Sequence, residues 1–123
     1  MRRILAVVCR SVESALAVLC RRRYDAEVTV KRLDRTASDQ PLRLRLECAD
    51  QIEMDTQIRV SHVGGNVYDV RCSVPDGSSR RCTYSVPGSG TTLSPAPELG
   101  RTLGTFLLDE LERQIGSRHL RGQ

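Results

Sequence analysis

The stretch that decides the fold is LRLRLECADQIEMDTQIRVSHVGGNVYDVRCSVPDGSSRRCTYSV, residues 42–86. Apolar and polar residues alternate along it almost without a break, as in its opening run LRLRLE. A period of two places one parity of residues on each face of a β-sheet. The stretch therefore predicts strands with one apolar face and one polar face, and it assigns each residue to one of the two.

Three short connections, 49–51, 64–66 and 75–79, divide this stretch into four antiparallel strands. The connection 64–66 (GGN) supplies residues that tolerate the positive φ of a tight hairpin loop, and the composition of 75–79 (PDGSS) is typical of a turn. Centring a hairpin on each connection predicts the cross-strand partners Leu46 with Met54, Val60 with Val70, and Cys72 with Cys82. All three registers keep the apolar parity on one face, and a slip by one residue would bury arginines.

The residues before this stretch predict a helix, a strand and a loop. Apolar residues recur on one side at helical spacing over residues 3–22, so that segment is expected to be an amphipathic helix. Residues 26–33 alternate like a first strand, and the polar residues 34–41 are expected to form a loop.

The residues after it predict a linker and a second helix. Residues 87–97 (PGSGTTLSPAP) are typical of a linker, with Ser94 as the helix cap and Pro95 at the first helical position. The helix is expected to run from about residue 96 to 115, and Gly116 fits its C-terminal cap.

These elements predict an α+β fold, a two-layer sandwich. An N-terminal helix, a five-stranded antiparallel meander and a C-terminal helix follow one another, with both helices on the apolar face of the sheet. Residues 1–116 are expected to form a single α+β domain and residues 117–123 a frayed C-terminal tail. Unrelated secretion chaperones, immunity proteins and nucleoid-associated proteins share such an order, so the order alone names no function.

Composition and the N-terminus predict a cytoplasmic protein. The five cysteines are odd in number and lack C-x-x-C spacing, which indicates free thiols in a reducing compartment. Arg10 interrupts the apolar run 4–9 too early for a signal peptide, and no run approaches the ~20 apolar residues that span a bilayer, so no membrane partner is expected. A mitochondrial transit peptide over residues 1–23 is the alternative, and the matrix is then the location.

No motif indicates catalysis, so the chain is expected not to be an enzyme and to hold no cofactor. His62, Cys72 and Cys82 share the apolar parity, but His62 falls in a different row, and no metal site is predicted. A disulfide could join Cys72 and Cys82 across the strands, although buried free thiols are the expected state.

The polar parity gathers four arginines toward one end of the outer sheet face. They are Arg43, Arg59, Arg71 and Arg81. The registers place Arg59 directly opposite Arg71, an arrangement of like charges that destabilises a sheet, and they place Arg81 opposite Ser73. The acidic residues of the face, Glu47, Glu53 and Asp55, gather at the other end, where Arg45 can neutralise Asp55.

The leading hypothesis is a small non-catalytic module of the chaperone, adaptor or immunity type. It would bind an acidic partner protein through the arginine-bearing sheet face. The alternative is a sequence-nonspecific nucleic-acid-binding protein that uses Arg21, Arg22 and Arg23 with the sheet arginines. A carrier of an apolar ligand and a merely solvated charged face stay open as further alternatives.

Two glycines, Gly100 and Gly104, lie one turn apart on the apolar side of the last helix. Glycine inside a helix costs about 1 kcal/mol relative to alanine, so a close backbone approach is expected in compensation. The approaching element is either the first helix or a second protomer, and the second choice would make this face a homodimer interface.

Overall fold

The computed structural model describes residues 2–25, 27–33, 42–48, 52–86 and 96–121. Its elements are α1 (Arg2–Tyr24), β1 (Val28–Arg32), β2 (Leu42–Cys48), β3 (Ile52–Gly64), β4 (Val67–Ser73), β5 (Ser79–Ser85) and α2 (Pro97–Arg121). The strands form one antiparallel sheet in the order β1-β2-β3-β4-β5. The predicted α+β meander flanked by two helices is therefore confirmed. The loop predicted at 34–41 lies outside the described residues.

The core lies between the apolar face of the sheet and both helices, as the alternation predicts. The apolar parity of β2, β3, β4 and β5 joins the apolar sides of α1 and α2 in one buried cluster. Its largest fully buried side chains are Leu16, Leu44, Leu46, Ile58, Leu103, Leu107, Leu108 and Leu111. Helical spacing alone misses Val7 and Leu108, which are fully buried because each helix faces both the sheet and the other helix.

Two of the three predicted hairpin registers are confirmed. Leu46 lies opposite Met54 between β2 and β3, and Val60 lies opposite Val70 between β3 and β4. The β3–β4 turn uses Gly65 at a φ of 55°, the left-handed region that the sequence predicts for this loop.

The third register is wrong by two residues. Cys72 lies opposite Arg80 instead of Cys82, because the loop is shorter than the predicted 75–79 connection. Val74 N–H donates to the carbonyl oxygen of Ser78 at 3.0 Å, and Gly77, at a φ of 98°, donates to the carbonyl oxygen of Val74 at 3.0 Å. These bonds close a three-residue turn centred on residue 76 with glycine in its last position. A shift of two residues keeps every side chain on its predicted face.

Helix α2 begins and ends later than the sequence predicts. Gly100 N–H donates to the carbonyl oxygen of Ala96 at 3.0 Å, so Pro97 is the proline at the first helical position. The predicted cap at Ser94 and the predicted position of Pro95 lie outside the described residues. The helix continues through Gly116 to Arg121, since one glycine lowers helix stability by only about 1 kcal/mol and no proline follows it.

The two helices approach closely at the predicted glycines. A Cβ at Gly100 would lie 2.3 Å from the backbone oxygen of Ser11, and one at Gly104 would lie 3.2 Å from the Cβ of Ala15. Both glycines are buried. The glycine face of α2 is thus covered by α1, so the first helix makes the close approach that these glycines predict, while a homodimer stays a prediction.

Ser11 joins the two helices by hydrogen bonds. Its buried hydroxyl donates to the carbonyl oxygen of Val7 at 2.7 Å and accepts the N–H of Ala96 at 2.8 Å, where α2 begins. The sequence gives no indication of this contact, because a serine in the middle of a helix is ordinarily exposed.

We expect Ser11→Ala to lower the free energy of unfolding by about 1 kcal/mol, since the N–H of Ala96 loses its acceptor. Urea unfolding followed by circular dichroism measures the change. Ser14→Ala, an exposed position on the same helix, is the matched control and is expected to be neutral or slightly stabilising. Equal stabilities of the two variants would show that the contact between Ser11 and Ala96 contributes nothing.

Candidate binding face

The corrected register brings three arginines into one row on the outer face of the sheet. Arg59 on β3 lies opposite Arg71 on β4, and Arg71 lies opposite Arg81 on β5. All three are exposed. Side chains directly opposite one another on antiparallel strands have Cβ atoms about 5 Å apart, so the three arginine side chains are neighbours on the sheet. We call Arg59, Arg71 and Arg81 the arginine row.

Little negative charge compensates the arginine row. Arg81 Nε lies 3.2 Å from Asp69 Oδ2, a residue of β4 in the next row of the same face. Among the described residues, no carboxylate lies within ion-pair distance of Arg59 or Arg71. The arginine row therefore carries a net positive charge, which lies at Arg59 and Arg71.

The opposite end of the same face is neutralised, as predicted. Arg45 Nε donates to Asp55 Oδ1 at 2.9 Å and lies 4.0 Å from Glu53 Oε2, while Lys31 Nζ lies 3.1 Å from Glu47 Oε2. The hydrogen bond with Asp55 raises the pKa of Arg45 above its ordinary value. The carboxylates at this end of the outer face are thus paired, whereas Arg59 and Arg71 in the arginine row have no carboxylate partner among the described residues.

Arg43 lies one row away from the arginine row, opposite Gln57 as predicted. It lines a cleft of about 250 Å³ together with Asp55, Gln57, Ser73 and Pro75. The predicted pairing of Ser73 with Arg81 is wrong, since Ser73 lies opposite Ser79. The other members of the row that contains Arg43 are Gln57, Ser73 and Ser79, which offer hydrogen-bonding groups and carry no charge.

The arginine triplet Arg21, Arg22 and Arg23 does not join the arginine row. The triplet ends α1, which packs on the apolar face of the sheet and so on the side away from the outer face. Arg21 Nη2 lies 3.1 Å from Glu27 Oε1. The predicted site residues are therefore divided between two sides of the molecule.

Arg23 is a link between the two helices. Its Nη1 lies 3.0 Å from Asp109 Oδ1 and 3.2 Å from Glu112 Oε1, both on α2, and the Tyr24 hydroxyl donates to Glu112 as well. Burial, followed by this hydrogen bond, raises the pKa of Tyr24 to about 12. These pairs give Arg23 a structural role at the end of α1.

A groove between β5 and α2 is a second basic feature, and the sequence does not predict it. The groove has a volume of about 440 Å³ and is lined by Arg80, Arg101, Thr102, Thr105, Phe106 and Asp109. Parity places Arg80 on the helix side with Cys82, but the sequence does not show that Arg101 faces it across the groove. We call this feature the β5–α2 groove.

The cysteines form no reactive or ligand cluster in the part of the chain that the structure describes. Cys72 and Cys82 are free thiols that occupy different rows, so the predicted opposition that would favour a disulfide is absent. No group of three or more histidine, cysteine, aspartate or glutamate side chains among the described residues is arranged to hold a metal ion.

Burial makes the free thiols poor acids. It raises the pKa of Cys72 to about 11, and it raises the pKa of Cys9 to about 11 with help from the thiol's hydrogen bond to Glu13. The ordinary value is 9.0. The unfolded chain therefore releases these protons at lower pH than the folded protein does.

We expect the stabilising effect of the buried thiols to be fully present below pH 9.0 and to be lost as the pH rises toward about 11. Urea unfolding at a series of pH values measures the decline. A Cys9→Ala/Cys72→Ala variant keeps every other titrating group and is expected to lose stability less steeply over this range. If the free energy of unfolding fell equally steeply with pH in the variant and the wild type, the decline could not be assigned to Cys9 and Cys72.

Comparisons with known proteins add no family or relative. No protein-family model, no curated protein and no solved structure matches the chain significantly. Within the described residues, neither helix is long and apolar enough to cross a bilayer.

Proposed function

We propose that the protein is a small non-catalytic binding module that engages an acidic segment of a partner protein through the outer face of its sheet. The observation that carries the proposal is the arginine row, which places Arg59, Arg71 and Arg81 side by side on three adjacent strands. Like charges directly opposed cost a sheet a few tenths of a kcal/mol per pair, and an acidic partner relieves that repulsion.

The chemistry of the row favours carboxylates. A guanidinium presents paired N–H donors that match the two oxygens of a carboxylate, and arginine loses less freedom than lysine when it makes such a pair. Arg59 and Arg71 have no carboxylate partner among the described residues, so both guanidiniums can accept one from outside. The two adjacent rows add the hydroxyl and amide groups of Gln57, Ser73, Ser61 and Thr83 for further hydrogen bonds.

A protein partner fits this surface better than a nucleic acid does. The triplet Arg21, Arg22 and Arg23 lies on the side away from the row, so the two basic sets cannot follow one duplex backbone across a single face. Tyr68 and Tyr84 pack against the core on the helix side of the sheet, which leaves the outer face without aromatic side chains for base stacking. The net charge of +4 is also modest for a protein held by phosphates.

Fluorescence anisotropy with a labelled glutamate-rich peptide tests the proposal. We expect the peptide to bind, the affinity to fall with added salt, and an Arg59→Ala/Arg71→Ala variant to bind at least about tenfold more weakly. Failure of the peptide to bind, or binding that the double variant leaves unchanged, would overturn the proposal.

Labelled duplex DNA, titrated in the same buffer, separates the two classes of partner. We expect weaker binding of the duplex than of the peptide. Tighter binding of the duplex, lost in the double variant, would instead support the nucleic-acid alternative and overturn the protein-binding proposal.

A further inference from the structure

Among the described residues, no strand pairs with the outer edge of β5, which lies beside the arginine row. Val86 N–H donates to the carbonyl oxygen of Asn66 at 2.8 Å at one end of the β4–β5 ladder, and Val74 N–H donates to that of Ser78 at 3.0 Å at the other. Because hydrogen-bonded pairs alternate along antiparallel strands, the even-numbered residues of β5 bond to β4. The odd-numbered residues, whose N–H and carbonyl groups point away from the sheet, are Ser79, Arg81, Thr83 and Ser85.

Arginine side chains flank this edge on both faces of the sheet. Arg81 belongs to the arginine row on the outer face, whereas its neighbour Arg80 lies on the helix side and lines the β5–α2 groove with Arg101. Successive side chains of an added strand would point to alternate faces. One parity of such a strand would therefore meet the arginine row, and the other parity would meet the groove.

We propose that the acidic segment binds in extended form as a sixth strand along the outer edge of β5. This inference rests on the proposed function and deepens it by giving the conformation and position of the bound segment. Backbone hydrogen bonds to the outward groups of β5 supply affinity, and carboxylates on the two faces of the segment pair with Arg81 and with Arg80 and Arg101.

Charge complementarity favours an acidic segment over a second copy of the chain. β5 contains Arg80 and Arg81 and no carboxylate, so two β5 edges paired with each other would bring like charges together. The opposite edge strand, β1, has five residues where β5 has seven, so it offers fewer backbone groups to an added strand. The groove beside β5 also gives the inward parity of the added segment a place to lie.

Methylation of peptide amide nitrogens tests the inference, because it removes backbone donors and keeps the charge. The probe is a peptide as long as β5 with glutamate at every odd position and at one even position and threonine elsewhere, so that both faces of an added strand carry carboxylates in unequal number. It is compared with two versions methylated on one parity or on the other. We expect one methylated version to bind about tenfold or more weakly and the other to bind like the parent, since only one parity faces β5.

Hydrogen exchange of the protein gives an independent readout. On binding of the parent peptide, the amides of Arg81, Thr83 and Ser85 are expected to exchange more slowly, while those of Cys82 and Tyr84, already bonded to β4, change little. Charge-dependent binding without this protection, and with equal affinities for both methylated versions, would overturn strand addition and leave the proposed function standing. Absence of binding by the parent peptide would overturn both.

Discussion

Gly100→Ala is expected to lower the free energy of unfolding by about 2 kcal/mol, because overpacking a core costs up to about 3 kcal/mol and the helix propensity of alanine offsets about 1 kcal/mol of that cost. The new Cβ would lie 2.3 Å from the backbone oxygen of Ser11 and 2.8 Å from its carbonyl carbon. Backbone atoms of a packed helix cannot rotate away as a flexible side chain can. The two helices must therefore separate, which disturbs the apolar contacts along their whole interface.

Gly104→Ala is the matched control for this variant. Its Cβ would lie 3.2 Å from the Cβ of Ala15 and 3.4 Å from Cδ1 of Leu19, contacts that small side-chain movements relieve. Alanine also gains about 1 kcal/mol of helix propensity over glycine, so we expect a net change of less than about 1 kcal/mol. Urea unfolding measures both variants, and equal stabilities would contradict the close approach of Gly100 to α1.

Arg71→Glu is expected to weaken binding of the acidic peptide by about tenfold to a hundredfold. Arg71 occupies the centre of the arginine row, so the substitution removes one guanidinium and puts a negative charge between the other two. The new carboxylate then pairs with Arg59 and Arg81 and occupies the donors that a bound carboxylate requires.

Arg45→Glu supplies the same change of charge on the same face of the sheet. Arg45 is paired with Asp55 at the opposite end of that face, so we expect this variant to keep nearly the wild-type affinity for the peptide. Anisotropy titrations of both variants at one salt concentration measure the difference. An equal loss in both would show that binding depends only on net charge and not on the arginine row.

Much of the fold follows from the sequence because hydrophobic alternation determines which face a residue occupies. The parity of every strand in 42–86 and two hairpin registers are predicted correctly, since a slip by one residue would bury arginines. The β4–β5 register is predicted wrongly by two residues, because a shift by two residues preserves parity. Only the backbone of the turn decides between a loop centred on residue 76 and one centred on Gly77.

Alternation likewise determines which arginines lie on the outer face but does not determine which of them lie opposite one another. Arg59 opposite Arg71 follows from the β3–β4 register, but the third member, Arg81, enters the row only through the turn geometry. The separation of the triplet at the end of α1 from the row depends on how the helix packs on the sheet, which the sequence of α1 alone does not state. Composition therefore predicts a basic surface, and tertiary packing decides which arginines share it.

The central claim is that the arginine row is retained for binding although it lowers the stability of the sheet. The free energy of unfolding of Arg71→Glu, measured by urea in low-salt buffer, tests this claim without any partner. We predict a value above that of the wild type by a few tenths to about 1 kcal/mol, since two repulsive cross-strand pairs become attractive. A value below that of the wild type would show that the row stabilises the sheet and would contradict the claim.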